Sequence, residues 1–405
     1  MIEKNKVKEA VEMYNFDECI DRRGTASVKW DVKDLFGVGP EHDLTPMWIA
    51  DMDFAVLPKV QTAMKERCDH PVFGYNTPTP GSIPALCAWY ERRHSWHFTP
   101  DQVVNGIGVV TMLRFTIEAI TAPQDKVAVF SPVYDPFFAV VRNTGRTLVD
   151  LPMEVADGQY QVDMASFEQA LRQGVKALIL CNPHNPVGKV WTRAELETIA
   201  GLCEQYGVYI LSDEVHGDVV MEGFHYTPMG LIDANLDRLV VYTAISKSFN
   251  LAGLHQSAII VPNPDLRAKV DGALKGAWIM GANIMAFSAM EAAYTYGDTW
   301  VDELTAYLSG NARYVAEQCA AHMPKIGLVR HEGTFLMWLD MRCLGMSSDE
   351  LMVTLGRDYG VGLGNGAHYG SQCDGFMRLN IACPRSTLEK GIQAIQHYYS
   401  EREVK

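Results

Sequence analysis

The sequence lacks three features that would assign it to a special class of protein. It has no Cys-x-x-Cys motif, and its nine cysteines are scattered and odd in number, which predicts reduced thiols rather than a zinc site or a disulfide framework. Its longest uncharged apolar stretch, residues 276–290, is interrupted by glycines and too short to span a bilayer, so we expect a buried or interface helix. The N-terminal MIEKNKVKEAVEMYNF has no apolar signal-peptide core. These absences predict a cytoplasmic protein without a structural metal or a membrane partner.

Basic side chains are also in short supply. The 405 residues include 35 Lys and Arg against 49 Asp and Glu, a formal net charge of −14. A nucleic-acid groove needs a basic face, so this balance disfavours a nucleic-acid partner. What the chain has in quantity is apolar residues, 48% of the total, which is the composition of an ordinary globular protein. A chain of this length predicts two domains.

The middle of the chain alternates short apolar runs with longer amphipathic ones. Residues 193–207, for example, have leucine and isoleucine at helical spacing before a closing glycine. Such alternation predicts an α/β fold with a mostly parallel sheet flanked by helices. The apolar runs predicted as strands are 127–130, 146–152, 177–181, 208–212, 238–243 and 257–261.

The pattern changes after about residue 295. Helical segments there lead into strand-like runs at 335–341 and 375–382, which predicts a small α+β domain over 296–405. Residues 56–295 are then the large domain. The loop-rich residues 1–55 lack the strand–helix rhythm, and we expect them to pack with the small domain.

Polar residues directly follow four of the predicted strands. In open α/β sheets, ligands bind outside the carboxyl ends of the strands. Helix caps and turns explain most single cases, but four such loops at one edge indicate a site. The residues are Tyr134, Asn182, Asn185, Asp213, His216 and Lys247.

Residues 105–120 add an anion site, because glycines there precede a helical pattern whose first N–H groups face outward. A lysine, a carboxylate, an aromatic ring, an asparagine and a phosphate-binding helix start are together what pyridoxal phosphate requires. The lysine forms a Schiff base with the cofactor aldehyde, and the carboxylate keeps the pyridine nitrogen protonated.

The order Asn185, Asp213, Lys247, Arg378 resembles the fold-type I pyridoxal-phosphate enzymes of the aspartate aminotransferase superfamily. More narrowly, blocks across nearly the whole chain are similar to the MalY/PatB-type cystathionine β-lyases, which cleave C–S bonds. These blocks are residues 21–31, 46–54, 72–75, 131–137, 182–191, 212–218, 246–254 and 378–385.

The resemblance implies a role for individual residues. Lys247 would be the Schiff-base lysine and the base that removes the Cα proton, and Asp213 would pair with the pyridinium nitrogen. Arg378 would clamp the substrate α-carboxylate through its bidentate fork, with Asn185 beside it. The other implied cofactor contacts are Tyr134 stacking on the ring, Asn185 and His216 at the ring oxygen, Val109, Val110, Thr243 and Ser246 at the phosphate, and Tyr75 reaching across from the other subunit of a homodimer.

Some positions depart from the family pattern or have no assigned chemistry. His255 stands where the superfamily has a phosphate-binding arginine, which the lyase branch usually lacks, and its role stays open. Tyr369 replaces an expected phenylalanine close to where a substrate side chain would lie. Asp51 and Asp53 are interpreted as turn carboxylates without a chemical role.

The resemblance implies a β-lyase that converts L-cystathionine or a related cysteine S-conjugate to a thiol such as homocysteine, pyruvate and ammonia. Two alternatives remain open on the sequence. An aminotransferase shares every step up to removal of the Cα proton. A regulatory protein with a secondary active site would keep the same residues.

Overall fold

The computed structural model of the protein describes residues 14–403. The described residues form fourteen strands and thirteen α-helices. The strands are β1 (Thr45–Met47), β2 (Val103–Gly106), β3 (Lys126–Ser131), β4 (Thr147–Pro152), β5 (Glu154–Ala156), β6 (Gln159–Gln161), β7 (Val175–Cys181), β8 (Tyr209–Asp213), β9 (Leu239–Thr243), β10 (Ser257–Ile260), β11 (Gly327–Leu328), β12 (Leu336–Asp340), β13 (Val361–Asn365) and β14 (Phe376–Asn380). The helices are α1 (Val28–Asp31), α2 (Pro58–Asp69), α3 (Ser82–His94), α4 (Val109–Ile120), α5 (Pro136–Asn143), α6 (Met164–Arg172), α7 (Arg193–Tyr206), α8 (Ile245–Ser248), α9 (Pro264–Gly276), α10 (Ile284–Tyr296), α11 (Asp298–His322), α12 (Ser348–Tyr359) and α13 (Arg385–Glu403).

A seven-stranded sheet forms the larger of the two main sheets, with strand order β2-β10-β9-β8-β7-β3-β4. Only β10 runs antiparallel to its neighbours, so the prediction of a mostly parallel sheet is confirmed. All six predicted strands are present as β3, β4, β7, β8, β9 and β10. Strands covered on both faces read as continuous apolar runs, and this is why the sequence located them.

The helix predicted over 193–207 is also confirmed. Thr192 and Glu195 form a capping box at the start of α7, in which each side chain accepts a hydrogen bond from the other residue's main-chain N–H. Gly207 ends the helix with a φ of 66°. No helix between residues 14 and 403 is both long and apolar enough to cross a membrane.

The single helix predicted over 276–290 is wrong in its first half. Helix α9 ends at Gly276, and α10 begins only at Ile284. Between them Gly281 has a φ of 117°, which most other residues adopt only with strain, and Asn283 then caps α10 by accepting a bond from Ala286 N–H. Trp278 in this connection is 87% exposed, so the segment is an open loop rather than a buried helix.

The second sheet has five strands in the order β1-β13-β14-β12-β11. Strands β12 and β14 match the runs predicted at 335–341 and 375–382. Strand β1, from the N-terminal part of the chain, pairs in parallel with β13 in this sheet. The domain limits at residues 55 and 295 stay a prediction, and the ends of the outer segments, 1–13 and 404–405, lie outside the described residues.

Candidate active site

The carboxyl ends of β7, β8 and β9 lie side by side in the large sheet. Cys181 pairs with Asp213, and Asp213 pairs with Tyr242. The loops that leave these strands therefore start at one edge, where they carry Asn185, Asp213 and Lys247. The structure thus brings together the polar residues that the sequence placed at strand ends.

Lys247 lies in the short helix α8, which follows β9 directly. Its Nζ donates a hydrogen bond to the Ala50 carbonyl at 2.7 Å. Burial and the nearby Arg378 cation lower the pKa of Lys247 to about 8, against the opposing pull of Asp51 and Asp213. An amine with this pKa is partly neutral at physiological pH, which suits a nucleophile or a proton acceptor.

Asp213 is the last residue of β8 and is 5% exposed. Burial raises the pKa of Asp213 to about 7, although a hydrogen bond from Val215 N–H at 3.3 Å and the Lys247 cation act in the opposite direction. The positive charge near the carboxyl group is therefore too weak to keep it fully ionised at neutral pH. A cationic ring nitrogen placed against it would supply that charge.

Arg378 lies in β14 of the small sheet and is 5% exposed. Its Nη1 donates to Asn185 Oδ1 at 3.0 Å, and its Nη2 donates to the Trp48 carbonyl at 2.9 Å. The guanidinium stacks on the Tyr369 ring at 4.9 Å, and its buried Nε has no partner. Among the described residues, none forms an ion pair with Arg378. A buried cation without an anion is costly, so the site is suited to bind a carboxylate.

His216 and Tyr134 present uncharged polar groups to the site. His216 is buried, its Nδ1 has no partner, and burial together with the Lys247 and Arg378 cations pushes its pKa well below the ordinary value. Burial, followed by the neighbouring Asp135, raises the pKa of Tyr134 to about 12. Both side chains are thus neutral at physiological pH and can bond to a ligand oxygen.

The start of α4 lies at the same edge of the sheet. Gly108, with a φ of 116°, precedes the helix and donates its N–H to Ser257 Oγ at 3.0 Å. Ala258, the residue after Ser257, pairs with Thr243 at the end of β9. The first N–H groups of a helix lack acceptors within it, so this corner is a ready anion site. The predicted phosphate residues Val109, Val110, Thr243 and Ser246 lie at these element ends.

Two residues singled out in the sequence lie outside this arrangement. Tyr75 is fully exposed in a segment without regular secondary structure. His255 is exposed and adopts a left-handed conformation, with a φ of 51°, after a short turn of helix.

The loop of residues 48–53 takes part in the site, and sequence reasoning missed it. Its Trp48 and Ala50 carbonyls accept the bonds from Arg378 and Lys247. The block 46–54 resembles a family motif, but a main-chain carbonyl has no side-chain signature that a sequence could reveal.

The site fits pyridoxal phosphate on several independent observations. The carboxyl of Asp213 lacks a full counter-charge, His216 Nδ1 and Arg378 Nε are buried without partners, and α4 offers free N–H groups. The described part of the chain has no group of three or more His, Cys, Asp or Glu side chains able to hold a metal ion.

The high pKa of Asp213 makes a stability prediction for the cofactor-free protein. Since the folded pKa of about 7 exceeds the ordinary 3.8, its contribution to stability is full below pH 4 and is lost as pH rises through 7. Asp213→Asn should therefore stabilise the cofactor-free protein at pH 8 by up to about 4 kcal/mol, with little effect at pH 4. Urea unfolding of the two proteins across this pH range measures the difference.

Asp218 provides a control of opposite sign. Burial opposes it, but bonds from His94 and Ser248 hold the pKa of Asp218 below its ordinary value. Asp218→Asn should therefore destabilise the protein more at pH 8 than at low pH. If both substitutions changed the free energy of unfolding equally at pH 8, the raised pKa of Asp213 would be contradicted.

Known proteins share both the sequence and the fold of this chain. The family model for aminotransferase class I and II matches residues 43–395. Cystathionine beta-lyase PatB of Bacillus subtilis (strain 168) is 40% identical over 94% of this chain and 99% of its own length. Protein MalY of Escherichia coli (strain K12) is 35% identical over 95% of this chain and 98% of its own length.

Cystalysin from Treponema denticola, whose crystal structure contains a pyridoxal 5'-phosphate cofactor, has a similar fold. Its TM-score is 0.92 at 30% sequence identity, and the match covers 97% of this chain and 100% of the cystalysin chain. The chain therefore belongs to the class I and II aminotransferase family, in the branch that includes PatB and MalY.

Proposed function

We propose that the protein is a pyridoxal-phosphate-dependent C–S β-lyase. It cleaves L-cystathionine or a related cysteine S-conjugate to a thiol, pyruvate and ammonia. The observation that carries this choice is the likeness to the cystathionine β-lyase PatB over nearly the full length of both chains. The lysine, aspartate and arginine of the site supply the groups that the reaction needs.

Lys247 and Arg378 have different roles toward the substrate. Arg378, with a free Nε and no ion pair among the described residues, binds the α-carboxylate and orients the amino acid. When bound, pyridoxal phosphate supplies an electron-accepting ring conjugated to the substrate amino group. Lys247 Nζ removes the Cα proton, and its lowered pKa makes this transfer favourable. The C–S bond then breaks with its electron pair on sulfur, and hydrolysis of the three-carbon remainder gives pyruvate and ammonia.

The other residues of the edge hold the cofactor. Asp213 would stabilise the protonated ring nitrogen, and that positive charge would keep the carboxylate ionised. Neutral His216 and the amide of Asn185 would bond to the ring oxygen, and Tyr134 would hold the ring by stacking on it. The free N–H groups of Val109 and Val110 and the hydroxyls of Thr243 and Ser246 would hold the phosphate.

Product analysis tests this function. The cofactor-loaded protein is incubated with L-cystathionine, and free thiol and pyruvate are measured over time. Equal amounts of both products support β-elimination. Transfer of the amino group to an added keto acid, without thiol release, would make the protein an aminotransferase and overturn the proposal.

We propose a homodimer in which Tyr75 completes the site of the other subunit. Tyr75 is fully exposed, and Val72 and Phe73 beside it are 62% and 58% exposed, which is an unusual apolar surface for a lone chain. Tyr75→Ala should weaken phosphate binding at a site whose other residues are intact. Light scattering measures the molar mass of the assembly, and equilibrium dialysis measures how much pyridoxal phosphate each protein retains.

Mixing two defective variants tests the shared site. If Tyr75 acts across the interface, Tyr75→Ala and Lys247→Ala chains refolded together form mixed dimers with one intact site. The mixture should recover about a quarter of the wild-type activity, as random pairing predicts. No recovery in mixed dimers verified by mass would place Tyr75 outside the partner's site.

We also propose a cytoplasmic location. No disulfide joins any two of the nine cysteines, all of which lie among the described residues, and reduced cysteines are the state that a reducing compartment maintains. Fractionation of cells that produce the native protein, with immunodetection in each fraction, tests the location.

A further inference from the structure

The loop of residues 48–53 holds both cations of the active site. Its Ala50 carbonyl accepts a bond from Lys247 Nζ at 2.7 Å, and its Trp48 carbonyl accepts one from Arg378 Nη2 at 2.9 Å. Lys247 lies in α8, which follows strand β9 of the large sheet, and Arg378 lies in strand β14 of the small sheet. One loop therefore orients the proposed base and the proposed carboxylate clamp together.

Two asparagines bind this loop, one in the small sheet and one in the chain that follows α8. Asn380, at the end of β14, donates through Nδ2 to the Ile49 and Asp51 carbonyls, both at 2.6 Å. Asn250, just beyond α8, accepts from Met52 N–H at 2.9 Å and donates to the Met52 carbonyl at 3.0 Å. The loop is thus fixed along its length by side-chain hydrogen bonds to its main chain.

A buried charge cluster closes the end of the loop. Asp53, which is 4% exposed, accepts bonds from Lys29 Nζ at 2.6 Å, from Arg22 Nη1 at 2.7 Å and from Trp30 Nε1 at 2.8 Å. Lys29 is only 1% exposed, and such deep burial of a lysine is rare without a paired anion. Arg22 also pairs with Asp51 at 2.7 Å.

The same cluster reaches the start of the loop. Trp48 Nε1 donates to the Lys29 carbonyl at 3.2 Å, so α1 contacts the loop at both Trp48 and Asp53. A buried ion pair gives little net stability compared with an apolar pair of the same shape, but it imposes a definite geometry. The geometry imposed here is that of the Trp48 and Ala50 carbonyls.

We propose that Lys29, Asp53 and Arg22 are positioning residues of the active site. They act through the 48–53 loop, whose carbonyls orient Arg378 and Lys247, and they touch neither substrate nor cofactor. The inference rests on the proposed function for the identity of the site. Because the loop bonds to Arg378 and Lys247 rather than to Asp213 or α4, its displacement should weaken amino-acid binding more than cofactor binding.

The double substitution Lys29→Met with Asp53→Asn tests this proposal, because it removes both charges and leaves neither buried alone. L-Alanine, which has no leaving group at Cβ, is the probe, and its dissociation constant is read from the change in cofactor absorbance. We expect this dissociation constant to rise on the order of 10²-fold, because a small displacement of a positioned group has an effect of that size. The dissociation constant for pyridoxal phosphate should rise much less, because Asp213 and the start of α4 do not bond to the loop.

Lys189→Met is the matched control. Lys189 is also buried, with its side chain 6% exposed, paired with Glu195 at 2.7 Å and lying 5.0 Å from the Trp191 ring. Its loss should lower the melting temperature while the L-alanine affinity stays at the wild-type value. Lys29→Arg, which keeps the charge, should retain most of that affinity.

Two further results decide the matter. An unchanged L-alanine constant in a double variant with a wild-type circular dichroism spectrum would overturn the positioning role. Equal loss of L-alanine and cofactor binding would do the same, since it would mean general unfolding of the site. Should the double variant fail to fold, Trp30→Phe removes one neutral donor to Asp53, and a smaller selective rise in the L-alanine constant is then expected. Because L-alanine binding requires no C–S cleavage, these outcomes are independent of whether the lyase assay succeeds.

Discussion

Lys247→Ala is expected to reduce thiol release from L-cystathionine by about four orders of magnitude, at the upper end of what a positioned base contributes. The loss should be this large because, among the described residues, no other basic group at this edge of the sheet can replace the lysine as proton acceptor. His216 is buried with a strongly lowered pKa, and the guanidinium group of an arginine does not act as a base in proteins. Pyridoxal phosphate should still bind through Asp213 and the start of α4. Single-turnover thiol release with enzyme in excess measures the rate, and cofactor content after gel filtration measures binding.

A surface lysine and a small amine serve as controls for this result. Lys275, whose side chain is 61% exposed and paired with Asp271 one turn away, should tolerate Lys275→Ala without loss of rate. Added methylamine should restore part of the activity of the Lys247→Ala protein, since it supplies a primary amine in the vacated space. Wild-type rates in the Lys247→Ala protein would remove Lys247 from the chemistry altogether.

Arg378→Lys is expected to raise the KM for L-cystathionine on the order of 10²-fold with a smaller change in kcat, the scale for truncating one partner of a buried charge pair. Lysine keeps the charge, but it cannot offer two parallel N–H groups to the carboxylate while bonding to Asn185 and Trp48. Steady-state kinetics measure the effect. The substrate amide, which lacks the carboxylate, should react poorly with both proteins and show no difference between them.

Arg342 offers a matched arginine outside the site. It stacks on the Phe376 ring at 4.6 Å, much as Arg378 stacks on Tyr369, and its side chain is 61% exposed beside Asp340. Arg342→Lys should leave the KM at its wild-type value. If Arg378→Lys also left the KM unchanged, the carboxylate would have to bind elsewhere.

The large sheet could be predicted from the sequence because its strands are buried on both faces. Runs such as 177–181 and 238–243 are continuous and apolar, and nothing distant is needed to recognise them. Strand β2 could not be predicted in this way, because only two of its four residues are apolar and the other two are Asn105 and Gly106. The break between α9 and α10 was missed because apolar composition outweighed the local signals of Gly281 and Asn283.

The sequence by itself determined the chemistry available to this protein: a lysine, an aspartate and an asparagine placed where parallel strands end, in a pattern that resembles one enzyme family. Only the tertiary structure decided what holds those groups in place. The Trp48 and Ala50 carbonyls lie at the two cations, and Lys29 reaches Asp53 across 24 positions of chain. Such contacts involve main-chain atoms or residues distant in the sequence, and local patterns carry information only about side chains and their near neighbours.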